Sequence, residues 1–401
     1  MSERGAALRA LRLAWGALRT LHPSRASVIV RDALGLLPNQ PRDVGEHLAS
    51  TMAWLRTAHD AGGGEGVSAG YSFIDGWLPP YPETTGYIIP TFFAFSRFSG
   101  ESDFADRAVA MADWECRVQM PSGGVQGGLY GKGRGTPTES VFNTGQVILG
   151  WCRAFEETGA ERFRESAQRA GAWLCSVQEA DGSWGRYSPE TKTQRHSYDS
   201  RTAWALLELA RLTGETHFAD AAQRQLAWVL STQSPNGWFS NAEFYPPPHR
   251  WGRVFTHTIA YVLEGLIEAW RLTGHSQYLE AATAAADRLS MAYRSSSRLA
   301  GDFTPEWSTN ARYSCLTGSA QTAGVFLRIA AVRKRPDLKD TGIALLRDVM
   351  GTQDLGSRDP ALRGGVKGSH PLWGRYTPFV YPNWAAKFLA DSLLLAVQTP
   401  R

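Results

Sequence analysis

A register of glycine, aromatic, alanine and glutamine residues recurs along this chain and limits what it can fold into. Gly100, Gly159, Gly214 and Gly274 each precede an aromatic residue by four positions: Phe104, Phe163, Phe218 and Tyr278. Ala108, Ala167, Ala222 and Ala282 follow the aromatic by four, Trp114, Trp173 and Trp228 by ten, and Gln119, Gln178 and Gln233 by fifteen. The glycines stand 59, 55 and 60 residues apart, room for two helices and one long loop. Such a unit must stack on neighbours to bury its apolar face. Trp173 to Leu212 shows the plan: an apolar-periodic segment, the turn Asp181-Gly182, a polar run His196 to Arg201, then a second periodic segment. Weaker copies run from Thr317 to Val349 and from Asn383 to Val397. The last lacks an outer helix, which Val44 to His59 supplies from the other end of the chain. The expected fold is all-α, a single (α/α)6 toroid over residues 44–398 whose sixth hairpin joins the termini, with a basic helical extension over 1–43.

The rest of the composition fits that plan and excludes several classes. No Pro- or Ser-rich linker divides the 401 residues, and 43% hydrophobic content with 15 Trp suits a large core and aromatic clefts. A net charge of +4, without an aromatic-basic stripe, gives no argument for nucleic acid. Cys116, Cys152, Cys175 and Cys315 lack metal-site or disulfide spacing, so no metal, no cofactor and a reducing, cytoplasmic setting are expected. Arg4, Arg9, Arg12, Arg19, Arg25 and Arg31 occur with no acid between Glu3 and Asp32, beside Leu8, Leu11, Trp15 and Leu18 at helical spacing. This segment is neither a signal peptide nor a membrane span. It either packs on the ring or lies peripherally on anionic lipid.

Closing the ring brings the inner-helix starts to one mouth, where polar residues distant in sequence converge. The first start offers Glu83 and Tyr87, the second Glu139, Asn143 and Gln146. The third, densest one offers His196, Tyr198, Asp199, Arg201 and Trp204. The fourth has His257 and Tyr261, the fifth Gln321, and the sixth Trp373, Arg375, Tyr376, Asn383, Trp384 and Lys387. Amides such as Asn143 and Gln146 both donate and accept, which suits sugar hydroxyls. The loop tryptophans Trp184, Trp238, Trp307 and Trp373 are open to a stacking role, and Trp307 and Trp373 are substrate-binding candidates. Arg134, Arg195, Arg253, Lys367 and Arg375 in the loops before inner helices favour an anionic substrate.

The repeat, together with Arg201-Thr202-Ala203-Trp204-Ala205-Leu206 and Asn143-Thr144-Gly145-Gln146, resembles the six-hairpin toroid glycosidase superfamily. That superfamily includes unsaturated glucuronyl hydrolases and the toroids of uronate epimerases and polysaccharide lyases; the chain also resembles proteins that accompany bacterial exopolysaccharide clusters. The resemblance implies an enzyme acting on an acidic, uronate-containing poly- or oligosaccharide, with a glycoside hydrolase as the leading expectation and Asp199 nearest to the general-acid aspartate. Hydrolysis would draw on Glu83, Glu139 and Asp199. Lyase or epimerase chemistry would draw on His196, Tyr198, His257 or Tyr261 as base, with Arg201, Arg375 or Lys387 neutralising the uronate. Gln178 to Trp184 and Gln233 to Trp238 also resemble the Gln-Trp repeats of squalene and hopene cyclases, but Asp-x-Asp-Asp and Asp-Asp-x-x-Asp motifs are missing from the sequence. A terpenoid cyclase and a glycan-binding toroid without chemistry stay as alternatives.

Overall fold

A computed structural model describes residues 23–36, 40–131, 137–188, 194–244 and 253–398. Among these, thirteen α-helices carry the fold: α1 (Pro23–Ala33), α2 (Val44–Ala61), α3 (Pro82–Ser99), α4 (Ser102–Val118), α5 (Val141–Thr158), α6 (Glu161–Ser176), α7 (Ser200–Thr213), α8 (Thr216–Ser231), α9 (Thr256–Thr273), α10 (Ser276–Ser296), α11 (Leu316–Arg333), α12 (Pro336–Gly351) and α13 (Asn383–Gln398). The odd-numbered helices from α3 to α13 form the inner ring, and the even-numbered ones the outer ring. Four inner helices end where the repeat predicts. Gly100, Gly159, Gly214 and Gly274 take φ between 67° and 79° and donate back to the helix, a left-handed cap that glycine adopts without steric cost.

The repeated glutamines are the lashings of the outer ring. Gln119, Gln178 and Gln233 each donate from Nε2 to the carbonyl of their own loop glycine, Gly123, Gly182 or Gly237. They also donate to a carbonyl of the next outer helix, Ser166, Ala221 or Ala281. Gln353, outside the register read from sequence, bonds Gly364 O and Thr51 on α2, so the same tie closes the ring across the termini. There Trp54 donates to Ala361 O, and β1 (Gly70–Ser72) pairs antiparallel with β7 (Val380–Pro382) and with β2 (Gly76–Trp77). The expected hairpin of α13 with α2 is present, and the chain is one (α/α)6 toroid. Short ladders of β3 (Val254–Phe255) with β4 (Asp302–Phe303) and of β5 (Ser314–Cys315) with β6 (Ser369–His370) tie neighbouring loops at the inner-helix starts.

Glycines let the inner helices approach closely. A Cβ on Gly145 would lie 2.8 Å from Thr202 Cα, and one on Gly265 would lie 2.4 Å from the Ser200 carbonyl carbon. The start of α7 therefore sits opposite the middle of α9, deeper in the barrel than its neighbours' starts. This offset decides where Arg201 goes.

Of the basic N-terminal segment, residues 1–22 lie outside the described residues, and the lipid-contact expectation lies there with them. The described part, α1, is packed on the ring. Asp32, 6% exposed, accepts from Lys367 Nζ at 2.5 Å and from Leu372 N at 2.8 Å, while Arg31 pairs with Asp354. Burial raises the Asp32 pKa, but His370 and Lys367 more than offset this and hold it below the usual value. No described helix is long and apolar enough to cross a membrane. Asp32→Ala strands the Lys367 ammonium, 1% exposed, without its partner. Chemical denaturation should show a loss of about 3–5 kcal/mol.

Candidate active site

Where the inner helices start, the ring opens into a cavity of about 390 Å³ lined by Tyr81, Glu83, Phe244, Phe255, His257, Tyr261, Arg375, Tyr376, Thr377, Pro378 and Trp384. Glu83 is the one carboxylate among its described lining residues. Pro82 occupies the first position of α3, where its fixed φ suits the helix and its missing N–H costs nothing. The next residue thus enters the first turn with its side chain at the mouth. The Tyr81 hydroxyl donates to Glu83 Oε2. Burial pushes the carboxyl up to about 7, opposed by that hydrogen bond and by the Arg201 charge. A carboxylic acid so placed keeps its proton up to near neutrality, where an ordinary carboxyl has lost it, and is able to give it up.

Aromatic rings wall the cavity. His257 lies 4.2 Å from Tyr261 and 5.3 Å from Tyr376 between ring centroids, Phe255 packs on Tyr376 at 5.2 Å, and Trp384 Nε1 donates to the Tyr376 hydroxyl at 2.8 Å. Arg375, at the open edge, reaches to within 4.0 Å of Asp302, which also binds Arg253 at 3.0 Å and the Tyr313 hydroxyl at 2.7 Å.

A buried polar chain fixes the state of His257. Arg201 pairs with Glu264 and donates from Nε to Gln146 at 2.9 Å; Gln321 Nε2 donates to the same Glu264 oxygen at 3.2 Å. A carboxylate only accepts, so the Gln321 amide nitrogen must face Glu264 and its oxygen must face His257 Nδ1, 2.5 Å away. Nδ1 therefore carries the proton, and Nε2 is left as the ring's acceptor. Burial drives the imidazole down to about 3, with Gln321 raising it and Arg201 lowering it, so His257 is neutral at working pH.

The structure brings together Glu83, His257, Tyr261, Arg375, Tyr376 and Trp384 from the sequence reading, and it places the others elsewhere. Tyr87, Arg201, Trp204 and Lys387 line a second cavity at the opposite end of the barrel. The deep start of α7 accounts for Arg201 and Trp204. Gln146 and Gln321 stand behind the mouth in the polar chain. Asn143 is spent inside the fold, donating to Gln126 O and accepting from Ser140, and Asn383 donates to Ser68 O and Thr84. Asp199, 3% exposed, accepts from Thr202 at 3.3 Å within the start of α7 and does not line the mouth. Tyr198 packs behind the wall on Phe142, Phe244 and Tyr261. His196 stacks on Tyr198 at 4.4 Å with Nε2 on Ser188, and burial holds it at about 3. Glu139 accepts from Ser122 on the outer flank. Trp307 packs on Trp238 and Phe303 and bonds Asn236 O; Trp373, 42% exposed, also lies off the cavity, and Trp184 and Trp238 are core.

Of the loop cations, Arg195 pairs with Glu179, Arg253 with Asp302 and Lys367 with Asp32; Arg134 lies outside the described residues. Sequence reading missed Tyr81, Phe244, Phe255, Thr377 and Pro378. The Tyr81-Pro82 step at a helix start was the one available signal for Tyr81. Among the described residues no cluster of three or more His, Cys, Asp or Glu could hold a metal, and all four cysteines are free thiols.

Residues 125–262 match the family model for the squalene-hopene cyclase C-terminal domain. No curated protein matches the chain by sequence. Among solved structures, the unsaturated glucuronyl hydrolase of Bacillus sp. GL1, named as responsible for glycosaminoglycan degradation, superposes with a TM-score of 0.68 at 14% identity, covering 89% of this chain and 97% of its own. A D-mannose isomerase gives 0.69 at 14% identity with the same coverages, and an alpha-amylase from Clostridium perfringens gives 0.60 at 10%, covering 87% and 97%. These likenesses establish the toroid, a fold on which the named reactions differ.

The state of Glu83 has a consequence for stability. Its folded pKa lies above the unfolded value of 4.5, so the native state holds its proton more tightly. Stability from this group is fully present below about pH 4.5 and falls as pH rises toward 7, by on the order of 3 kcal/mol. Glu83→Gln should therefore melt higher than the wild type at pH 8 and close to it at pH 4.5 in paired thermal scans.

Proposed function

We propose that the mouth is the active site of a carbohydrate-active enzyme, a glycoside hydrolase acting on a uronate-bearing oligosaccharide, with Glu83 as proton donor. The observation that carries the reading is a single buried carboxyl, held at about 7, facing an open aromatic cavity with a cation at its edge. Trp384, Tyr376 and Phe255 offer faces for sugar rings, and Arg375 a partner for a uronate carboxylate.

The count of carboxylates narrows the chemistry. Hydrolysis of an ordinary glycoside uses two carboxyl groups about 5–9.5 Å apart, and the described lining has one. One suffices where the sugar carries a ring double bond conjugated to its carboxylate, the substrate type in the name of the glucuronyl hydrolases. Glu83 gives its proton to the double-bond carbon remote from the ring oxygen, and positive charge forms at the carbon bearing that oxygen. Water adds there and returns a proton to Glu83. The resulting hemiketal opens to a keto acid and expels the glycosidic alcohol, so one water is consumed and the acid is regenerated. Elimination and epimerisation need a base strong enough to remove a proton from carbon. His257, near 3, is too weak, and Tyr261 and Tyr376 are pushed well above 10 by burial. An isoprenoid cyclase would also protonate a double bond, and residues 125–262 match the squalene-hopene cyclase model, but the Gln-Trp residues Gln178 and Gln233 lash outer helices away from the mouth.

Incubation with acidic oligosaccharides, saturated and unsaturated, should show loss of the unsaturated-uronate absorbance with release of a saturated fragment. Glu83→Gln should lower kcat by about 10²–10⁴, and kcat should fall as pH rises through about 7, where the carboxyl loses its proton. Arg375→Ala should chiefly raise KM. New absorbance would instead mean elimination, and deuterium uptake without cleavage would mean epimerisation; either contradicts the proposal.

A further inference from the structure

Beyond the Arg201–Glu264 pair the barrel opens again, at the C-terminal ends of the inner helices, into a cavity of about 600 Å³ that the reaction proposed for the mouth does not use. Its rim is a belt of ion pairs in repeat register. Arg97, Glu156, Arg211 and Arg271 each stand three residues before the glycine that ends their helix. Arg211 bridges Glu156 and Glu208, and Arg271 bridges Glu208 and Glu268. Cations and carboxylates nearly balance here, and the last-turn arginines offset the negative helix ends. The rim is accounted for by structure alone.

The floor is not. Arg201 lies in the first turn of α7 and Lys387 one turn into α13, with side chains only 2% and 8% exposed. Arg201 engages Gln146 through Nε and Glu264 through Nη1; Lys387 gives one of its three protons to Asp391 at 2.6 Å. Both cations also lie over aromatic rings, Arg201 over Tyr261 at 5.0 Å and Lys387 over Phe388 at 4.1 Å, but among the described residues no further hydrogen-bond acceptor engages Arg201 Nη2 or the remaining Lys387 protons. Donors that face the cavity are free to take an incoming acceptor, and an anion supplies several at once. Above this floor Trp204 presents a half-buried ring whose Nε1 is turned to Glu208 at 3.3 Å, with Leu149 and Leu394 nearby on the cavity wall.

We infer that this second cavity binds a compact organic anion, its carboxylate or phosphate on Arg201 and Lys387 and its body against Trp204. Burial holds the Lys387 ammonium below its ordinary value, against the pull of Asp391; a second anion beside it favours the charged form. The site is separate from the mouth yet joined to it, because Arg201 is the far end of the chain that fixes His257.

Calorimetric titration of the full chain with glucose 1-phosphate and, separately, with glucuronate tests the inference and distinguishes phosphate from carboxylate. Saturable binding of at least one probe is expected. Ala94→Trp, which adds bulk to the cavity from a partly buried wall position, should abolish that event. Lys387→Met should weaken it at least tenfold, with a melting scan to confirm folding, and Arg375→Ala at the mouth should leave it in place. Absence of binding by both probes, or binding that persists unchanged in Ala94→Trp, overturns the site.

Discussion

The buried pair between Arg201 and Glu264 is the interaction on which the interior depends. Removing either partner would strand a charge that is 93–98% shielded from water, a loss of the kind that destabilises a fold by several kcal/mol. Glu264 also orients Gln321, which sets the His257 tautomer, and Arg201 engages Gln146, so one ion pair joins α5, α7, α9 and α11 across the axis. It also partitions the barrel. On one side lies an aromatic mouth with a protonated acid; on the other lies a cavity whose floor is cationic. Arg201 further sits 5.0 Å above the Tyr261 ring and 5.1 Å from that of Trp204, touching the walls of both.

The architecture was legible because it is periodic. Small residues at fixed offsets from an aromatic report a packing contact repeated around a ring, and Ala108, Ala167, Ala222 and Ala282 are all fully buried. The glutamines were visible as a register, but their work was not. Only the structure shows that each crosses to the next outer helix, and that Gln353 makes the equivalent tie to α2 from a position where sequence spacing breaks down.

The site was legible only in part, for a geometric reason. The expectation that residues at inner-helix starts share one mouth holds where helices start level, as for Glu83 on α3, His257 on α9 and Trp384 on α13. It fails for α7, whose start meets Gly265 midway along α9, so the densest polar cluster in the sequence was the most misleading. Its members were spent on a helix start, a stacked wall and the axial ion pair. Asn143, an amide that looked suited to sugar hydroxyls, and Asn383, expected at the sixth helix start, were needed to satisfy backbone and hydroxyl groups of the fold. A sequence records which residues are polar but not which neighbour consumes that polarity.

What remains at the mouth is one carboxyl whose chemistry is set by burial. The most direct measurement is the infrared difference spectrum between wild type and Glu83→Gln, titrated in heavy water. The account predicts a protonated carboxyl stretch that is present at pH 6 and disappears with a midpoint near 7. A carboxylate signature already complete at pH 5 would mean that the mouth holds an ordinary ionised acid, and would contradict the assignment of Glu83 as the proton donor.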